Sequence, residues 1–198
     1  MKNMIKGLLA FATIGTMVML GSCSNYQPRP RGYFRIELPN KTYTQFENKR
    51  FPFTFDMPDT TLCNVIEKRE RKEDMYGFNI AYPKLRGCLY CDYKPVSKDN
   101  FWEISEDFRS FVYKHDVKAD EITEQLYVND EAKVYGLLYE IQGNTASQIQ
   151  FVLTDSCKHY FRGAYYFNVS PNADSLAPVT KYVKEDILRI IESFKWKN

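Results

Sequence analysis

The chain has 198 residues, 44% of them hydrophobic, 16% aromatic and 26% charged, with a formal net charge of +2. That length suits one domain with a full core, and the aromatic content, with nine glycines and nine prolines, excludes a disordered or collagen-like chain. The near-neutral balance argues against nucleic acid as a partner.

The first element is "MKNMIKGLLAFATIGTMVMLGSC", in which Lys2 and Lys6 precede a largely apolar run from Gly7 to Leu20. A membrane-spanning helix needs about 20 apolar residues. This run is shorter and ends at small residues beside a cysteine, which is the layout of a secretory signal peptide over residues 1–22. Leu20-Gly21-Ser22-Cys23 looks like a bacterial lipobox, so cleavage is expected before Cys23, with acylation of its thiol and new amine. The alternative, an ordinary cleavage site with Cys23 incidental, leaves the position of this quartet at the end of the apolar run unexplained. Each buried CH₂ of an acyl chain contributes roughly 0.8 kcal/mol, so a multiply acylated Cys23 holds a membrane firmly. Cleavage removes Lys2 and Lys6 and no acidic residue, which leaves a mature chain of 176 residues with a formal charge of 0.

Residues 23–40 read as a tether. In "SNYQPRPRGYFRIELP", Pro28 and Pro30 favour an extended polyproline II path, and Arg29, Arg31 and Arg35 make it basic beside the membrane. Tyr33, Phe34 and Ile36 are too apolar for an idle spacer, so its end is expected to dock on the domain or a partner.

Residues 41–198 read as one globular domain. From Phe51 onward, "FPFTFDMP", "CNVIEKRERK", "MYGFNIAYP" and "CLYCDYKPV" are short strand-like runs bounded by Pro, Gly or Asp. "KDNFWEISEDFRSFVYKH" switches period and places Phe101, Ile104, Phe108, Phe111 and Val112 along one helical face. Period two then returns through "EITEQLYV", "AKVYGLLYEIQ", "SQIQFVLTD" and "HYFRGAYYFNV", joined by hairpin-length connections that predict an antiparallel meander. The last segment predicts a helix with Asp174 or Ser175 as N-cap and Pro178 in its first turn. Val179, Tyr182, Val183, Ile187, Ile190, Ile191 and Phe194 form its apolar stripe. The fold class is therefore α+β, an antiparallel sheet with helices packed on its faces.

The chain has only two histidines, and one lies in "TDSCKHYFRGAYYFN" with Asp155, Ser156 and Cys157. A hydrolase triad brings a base to the nucleophile from separate parts of a fold. Here the residues crowd one turn, and Ser156 lacks the Gly-x-Ser-x-Gly setting. Asp and Ser in such turns usually satisfy backbone groups. Cys88-Leu89-Tyr90-Cys91 is a single C-x-x-C, to which Cys157 and His159 could add ligands, but cysteines three apart on a strand face opposite ways. A thioredoxin-like role would place that motif at a helix N-terminus. With Cys23 acylated, Cys63, Cys88, Cys91 and Cys157 remain; a disulfide from Cys157 and four free thiols both fit an exported chain. His115 reads as a cation at a helix end. Arg162 and Gly163, mid-strand, read either as an outward cation or salt bridge, or as a place where another backbone or ligand approaches the glycine and Arg162 holds it.

A set of short runs carries a family resemblance across essentially the whole mature chain. They include Pro30-Arg31-Gly32-Tyr33-Phe34-Arg35-Ile36, Tyr113-Lys114-His115, Gly136-Leu137-Leu138-Tyr139 and Thr154-Asp155-Ser156. Phe161-Arg162-Gly163-Ala164, Tyr166-Phe167-Asn168, Pro171 through Pro178 and Glu192-Ser193-Phe194-Lys195-Trp196 complete it. In these the chain resembles the gliding motility lipoprotein GldD family of Bacteroidota. The resemblance implies a lipid-anchored, non-catalytic envelope component that supports gliding and type IX secretion through other envelope proteins, with relatives also in bacteria that do not glide. It implies no cofactor, no metal, no nucleic acid and no small-molecule substrate. The C-x-x-C is not part of the family pattern. The order of elements is similar to the α/β/α sandwich of the PsbP and Mog1 type, and fold does not fix function. Arg31, Tyr33, Arg35, Arg162, Gly163, Asn172 and Asp174 are the candidate interaction surface. After Cys23 comes Ser-Asn-Tyr-Gln with no acidic run, which favours a periplasm-facing domain on the outer membrane. The rival expectation is a lipid-anchored hydrolase or metal-dependent enzyme built on Asp155 to His159.

Overall fold

The structure, a computed structural model, describes residues 36–66 and 76–197. Residues 1–22, expected to be a signal segment, and Cys23, Arg31, Tyr33 and Arg35 lie outside the described residues.

The elements follow the order β1 (Tyr43–Glu47), β2 (Phe53–Pro58), β3 (Leu62–Ile66), β4 (Tyr76–Tyr82), a 3-10 turn (Pro83–Leu85) and β5 (Gly87–Pro95). Then come α1 (Phe101–Tyr113), β6 (Glu121–Asn129), β7 (Val134–Gln142), β8 (Ser147–Thr154), β9 (His159–Phe167), α2 (Ala173–Ser193) and β10 (Lys195–Trp196). Seven strands form one sheet in the order β3-β4-β5-β9-β8-β7-β6, and β1-β2-β10 form a second, with every pair antiparallel. The class is α+β, as expected. No helix among the described residues is long and apolar enough to cross a membrane.

Strand alternation sorts side chains onto the two faces of the large sheet. On β9, Phe161, Gly163 and Tyr165 face α2 and the small sheet, while Tyr160, Arg162, Ala164 and Tyr166 face the side of α1. The first face holds the main core, whose centre is a set of packed rings. Phe46 lies 4.7 Å from Phe55 and 4.9 Å from Phe78, and Phe53 lies 4.9 Å from Phe161 and 5.1 Å from Phe194. Such pairs contribute about 0.5–1.5 kcal/mol each beyond area burial. The whole stripe from Val179 to Phe194 is buried there.

The structure departs from the sequence reading at several points. β1 is a strand although only Phe46 of its five residues is buried, because pairing with β2 makes it one. α2 begins earlier than expected: Asn172, not Asp174 or Ser175, is the N-cap, and its Oδ1 accepts from Ser175 N at 3.2 Å. Pro178 therefore falls in the second turn, where it gives up one backbone hydrogen bond. On α1, Phe108 and Val112 are buried but Phe111 is 48% exposed. His115, read from the sequence as a cation at a helix end, is half-buried there, and burial pulls its imidazole below the ordinary value.

Candidate functional site

The Asp155 to His159 segment is the β8–β9 turn, and its polar groups serve the backbone. Asp155 Oδ1 accepts from the N–H groups of Cys157, Lys158 and His159 at 3.0, 2.8 and 2.9 Å. Thr154 Oγ1 accepts from Ser156 N at 2.9 Å and donates to the His159 carbonyl at 2.6 Å, and Ser156 takes a left-handed φ of 64°. Burial pushes the Asp155 carboxyl up, but the three N–H donors together outweigh it and hold the group below its ordinary value. The His159 ring lies 4.9 Å from Trp196 in a stacked arrangement, and its Nδ1 pairs with Tyr93 OH at 2.8 Å. Burial lowers its pKa. Ser156 is exposed, and its hydroxyl makes no hydrogen bond to His159. The turn thus lacks the base–nucleophile pair that acyl transfer requires. Tyr93 and Trp196, the partners of His159, come from distant strands and no local motif announces them.

Cys88 and Cys91 are both buried, on opposite faces of β5: Cys91 in the main core, Cys88 beside Tyr166 on the α1 side. Among the described residues, Cys63, Cys88, Cys91 and Cys157 form no disulfide. Among the described residues no three His, Cys, Asp or Glu side chains are placed to hold a metal ion.

Arg162 stands beside Asp92 on β5, in register, and its Nε and Nη2 both donate to Asp92 Oδ2, at 3.1 and 3.0 Å. This pair sits in a cleft of about 470 Å³ between α1 and the sheet, walled by Phe108 and Phe111 on one side and Tyr90 and Tyr166 on the other. Gln150 and Ala164 form its floor. Gly163 points the opposite way, into the core. A Cβ there would meet Phe151 Cε1 at 2.4 Å, so the close approach expected at this glycine is made by the chain's own ring. Only strand register separates these two neighbours.

Asn172 and Asp174 lie at the start of α2. Asn172 caps it, Asn144 Oδ1 accepts from Ala173 N at 2.9 Å, and Asp174 adds an acidic group to the first turn, where the helix dipole favours it. Farther along α2, Asp186 is fully buried and bonded to Lys41 Nζ and Tyr43 OH, both at 2.9 Å. Burial pushes its carboxyl above the ordinary value, more than those two donors lower it.

The model of the family described as gliding motility lipoprotein GldD matches residues 23–196. The chain belongs to the GldD family. The GldD match opens on Cys23 and closes on Trp196, so it takes in both the β8–β9 turn and the strand that stacks on His159. GldD proteins are gliding-motility lipoproteins, and no curated protein matches this chain. Among solved structures, this GldD-family chain is similar to the solution structure of cyanobacterial PsbP (CyanoP) from Synechocystis. The identity is 12%, 89% of this chain and 98% of that one are covered, and the TM-score is 0.47.

Proposed function

We propose that this chain is a non-catalytic envelope protein, held on the outer membrane by an acylated Cys23 and facing the periplasm. It supports gliding motility and type IX secretion by binding other envelope proteins. The observation that carries the binding role is strand β6. It lies at the edge of the seven-stranded sheet, pairs only with β7 among the described residues, and runs nine residues in unbroken register. Edge strands are ordinarily blunted by proline, bulges or inward charges. β6 has no proline or bulge, and Leu126 and Val128 are 69% and 54% exposed. Trp102 and Phe111 of α1 add further exposed apolar surface. Such an edge accepts an added strand, its backbone giving affinity and its side chains selectivity. The non-catalytic reading is supported by the engagement of His159 with Tyr93 and by the exposed position of Ser156.

The test is crosslinking and pull-down of the tagged full chain from envelopes, beside Cys23→Ala and a Leu126→Lys/Val128→Lys double variant. Secretion or motility components should be recovered with the parent chain and lost with the double variant, whose melting temperature should stay within about 2 °C of the parent because both side chains are exposed. Recovery of no such component, or equal recovery with the double variant, overturns the proposal.

A further inference from the structure

Gln150 lies mid-strand in β8, every residue of which is buried, and is itself 3% exposed. Its Nε2 is buried and makes no hydrogen bond within the protein. A buried amide left without a partner is costly, and an apolar side chain of similar size would avoid that cost. Gln150 lines the cleft beside α1, and Ala164, its partner in register on β9, gives a low floor next to it. The position therefore holds a donor for which the fold itself has no use.

The rest of the cleft narrows the chemistry. Arg162 commits Nε and Nη2 to Asp92, which leaves the Nη1 donors over. Burial raises the Tyr166 phenol, more than Arg162 lowers it, so it keeps its proton and can donate. On the accepting side, Asp92 Oδ2 already takes both Arg162 bonds and Oδ1 is buried, so the one carboxylate presents no open edge. The cleft is thus rich in donors and poor in acceptors, and its matched ion pair favours an uncharged occupant. Its walls are aromatic: Tyr90 and Tyr166 meet at 77° with ring centres 5.7 Å apart, across from Phe108 and Phe111. Phe111 is 48% exposed, so that wall reaches the surface.

An ordinary peptide brings an N–H donor with every carbonyl, and here those donors would find no carboxylate to accept them. Proline brings the carbonyl without the N–H. It also brings an apolar ring for aromatic faces and a polyproline II path that is ordered before binding, with a ring returned to the same side every three residues.

We propose that this cleft binds a proline-rich segment of another envelope protein in polyproline II form. One carbonyl accepts from Gln150 Nε2, a second accepts at the Tyr166 and Arg162 rim, and the proline rings lie between the tyrosine and phenylalanine walls. This rests on the binding role proposed above and gives it a second site, since no residue of β6 lines the cleft.

The mature chain, purified in detergent, is titrated with hexaproline blocked at both ends, with a blocked hexapeptide of alternating alanine and serine, and with N-acetylphenylalanine methylamide. The Gln150 side-chain amide is followed by NMR, and hexaproline alone should shift it saturably. Read from the backbone amides of β9, Gln150→Leu should weaken binding about two- to ten-fold, the loss of one hydrogen bond, with no fall in melting temperature. Phe111→Ala, at an exposed position that leaves folding intact, should weaken it several-fold. The Leu126→Lys/Val128→Lys double variant should bind hexaproline as the parent does, which separates failure of the β6 edge from failure of this site. No saturable shift with hexaproline, an equal response to the alanine–serine peptide, binding of the phenylalanine derivative instead, undiminished affinity in both cleft variants, or loss of binding in the β6 variant overturns the proposal.

Discussion

Replacing Gly163 by alanine tests whether this position serves the core or an outside partner. The added Cβ would sit 2.4 Å and 2.6 Å from two carbons of the Phe151 ring, whereas ordinary contact begins near 3.4 Å, so the ring must retreat by about 1 Å. It has little room, being fully buried and 5.8 Å from the Phe161 ring. Overpacking of this kind costs about 1–3 kcal/mol, partly offset by about 0.4–1 kcal/mol from the less flexible unfolded chain. A net loss of about 1–2 kcal/mol corresponds to a fall of about 3–6 °C in Tm for a domain of this size. Phe151→Leu alone costs about 1 kcal/mol, and combined with Gly163→Ala it relieves the clash. Thermal unfolding followed by circular dichroism should therefore give a double variant more stable than the sum of the single losses, with a coupling of about 0.5–2 kcal/mol. An unchanged Tm for Gly163→Ala, or strict additivity with Phe151→Leu, refutes the packing account.

Three further outcomes follow from the buried and capped charges. Because burial raises the folded Asp186 pKa, its ionisation opposes folding: that group's stability is complete below the ordinary carboxylate range and is lost as pH rises through the raised value. Removing its cation raises that value further, so Lys41→Met should destabilise more near pH 8 than near pH 4 in urea titrations. The loss near pH 8 should be on the order of 2 kcal/mol, a low figure for a buried pair because the Lys41 side chain is 23% exposed; equal losses at both pH values count against it. Asp155→Ala should cost about 1–2 kcal/mol by removing three backbone acceptor contacts. The Asp155 pKa is depressed, so its contribution is present above the ordinary carboxylate range and lost as pH falls through the folded value; the variant should therefore unfold with a shallower acid limb. An NMR titration of His159 should give a midpoint below 6.5, so that stability is lost as falling pH charges the ring; a midpoint above 6.5 contradicts the burial seen beside Trp196.

Strand and helix identity was legible where burial follows local periodicity. β9 alternates Phe161, Gly163 and Tyr165 against Arg162 and Ala164, and α2 buries its whole apolar stripe. β1 and β10 were not legible, because five residues with one buried side chain and a two-residue strand exist only through pairing with β2. The cap of α2 was legible only to within two or three residues, since Asn172, Asp174 and Ser175 are all good capping types and geometry chooses between them. Within the candidate site, the Asp155 turn could be read because its hydrogen bonds are local. The cleft could not: β8 looks half polar in "SQIQFVLT", yet both its faces are covered, which turns Gln150 into a buried amide. Asp186 was not legible either, because its partner Lys41 lies 145 positions away.

The grip on Lys41 also bears on how this domain would resist a pull on its N-terminal side. Its ammonium bonds the Tyr182 carbonyl at 2.7 Å and Asp186 at 2.9 Å, pairs with Glu185 at 3.2 Å and lies 4.0 Å from the centre of the Tyr182 ring. A pull on the chain just ahead of Lys41 would reach this mooring before β1. It would be delivered into a 21-residue helix keyed to the core by seven buried side chains, so that the short β1–β2 hairpin would not be the first to peel open.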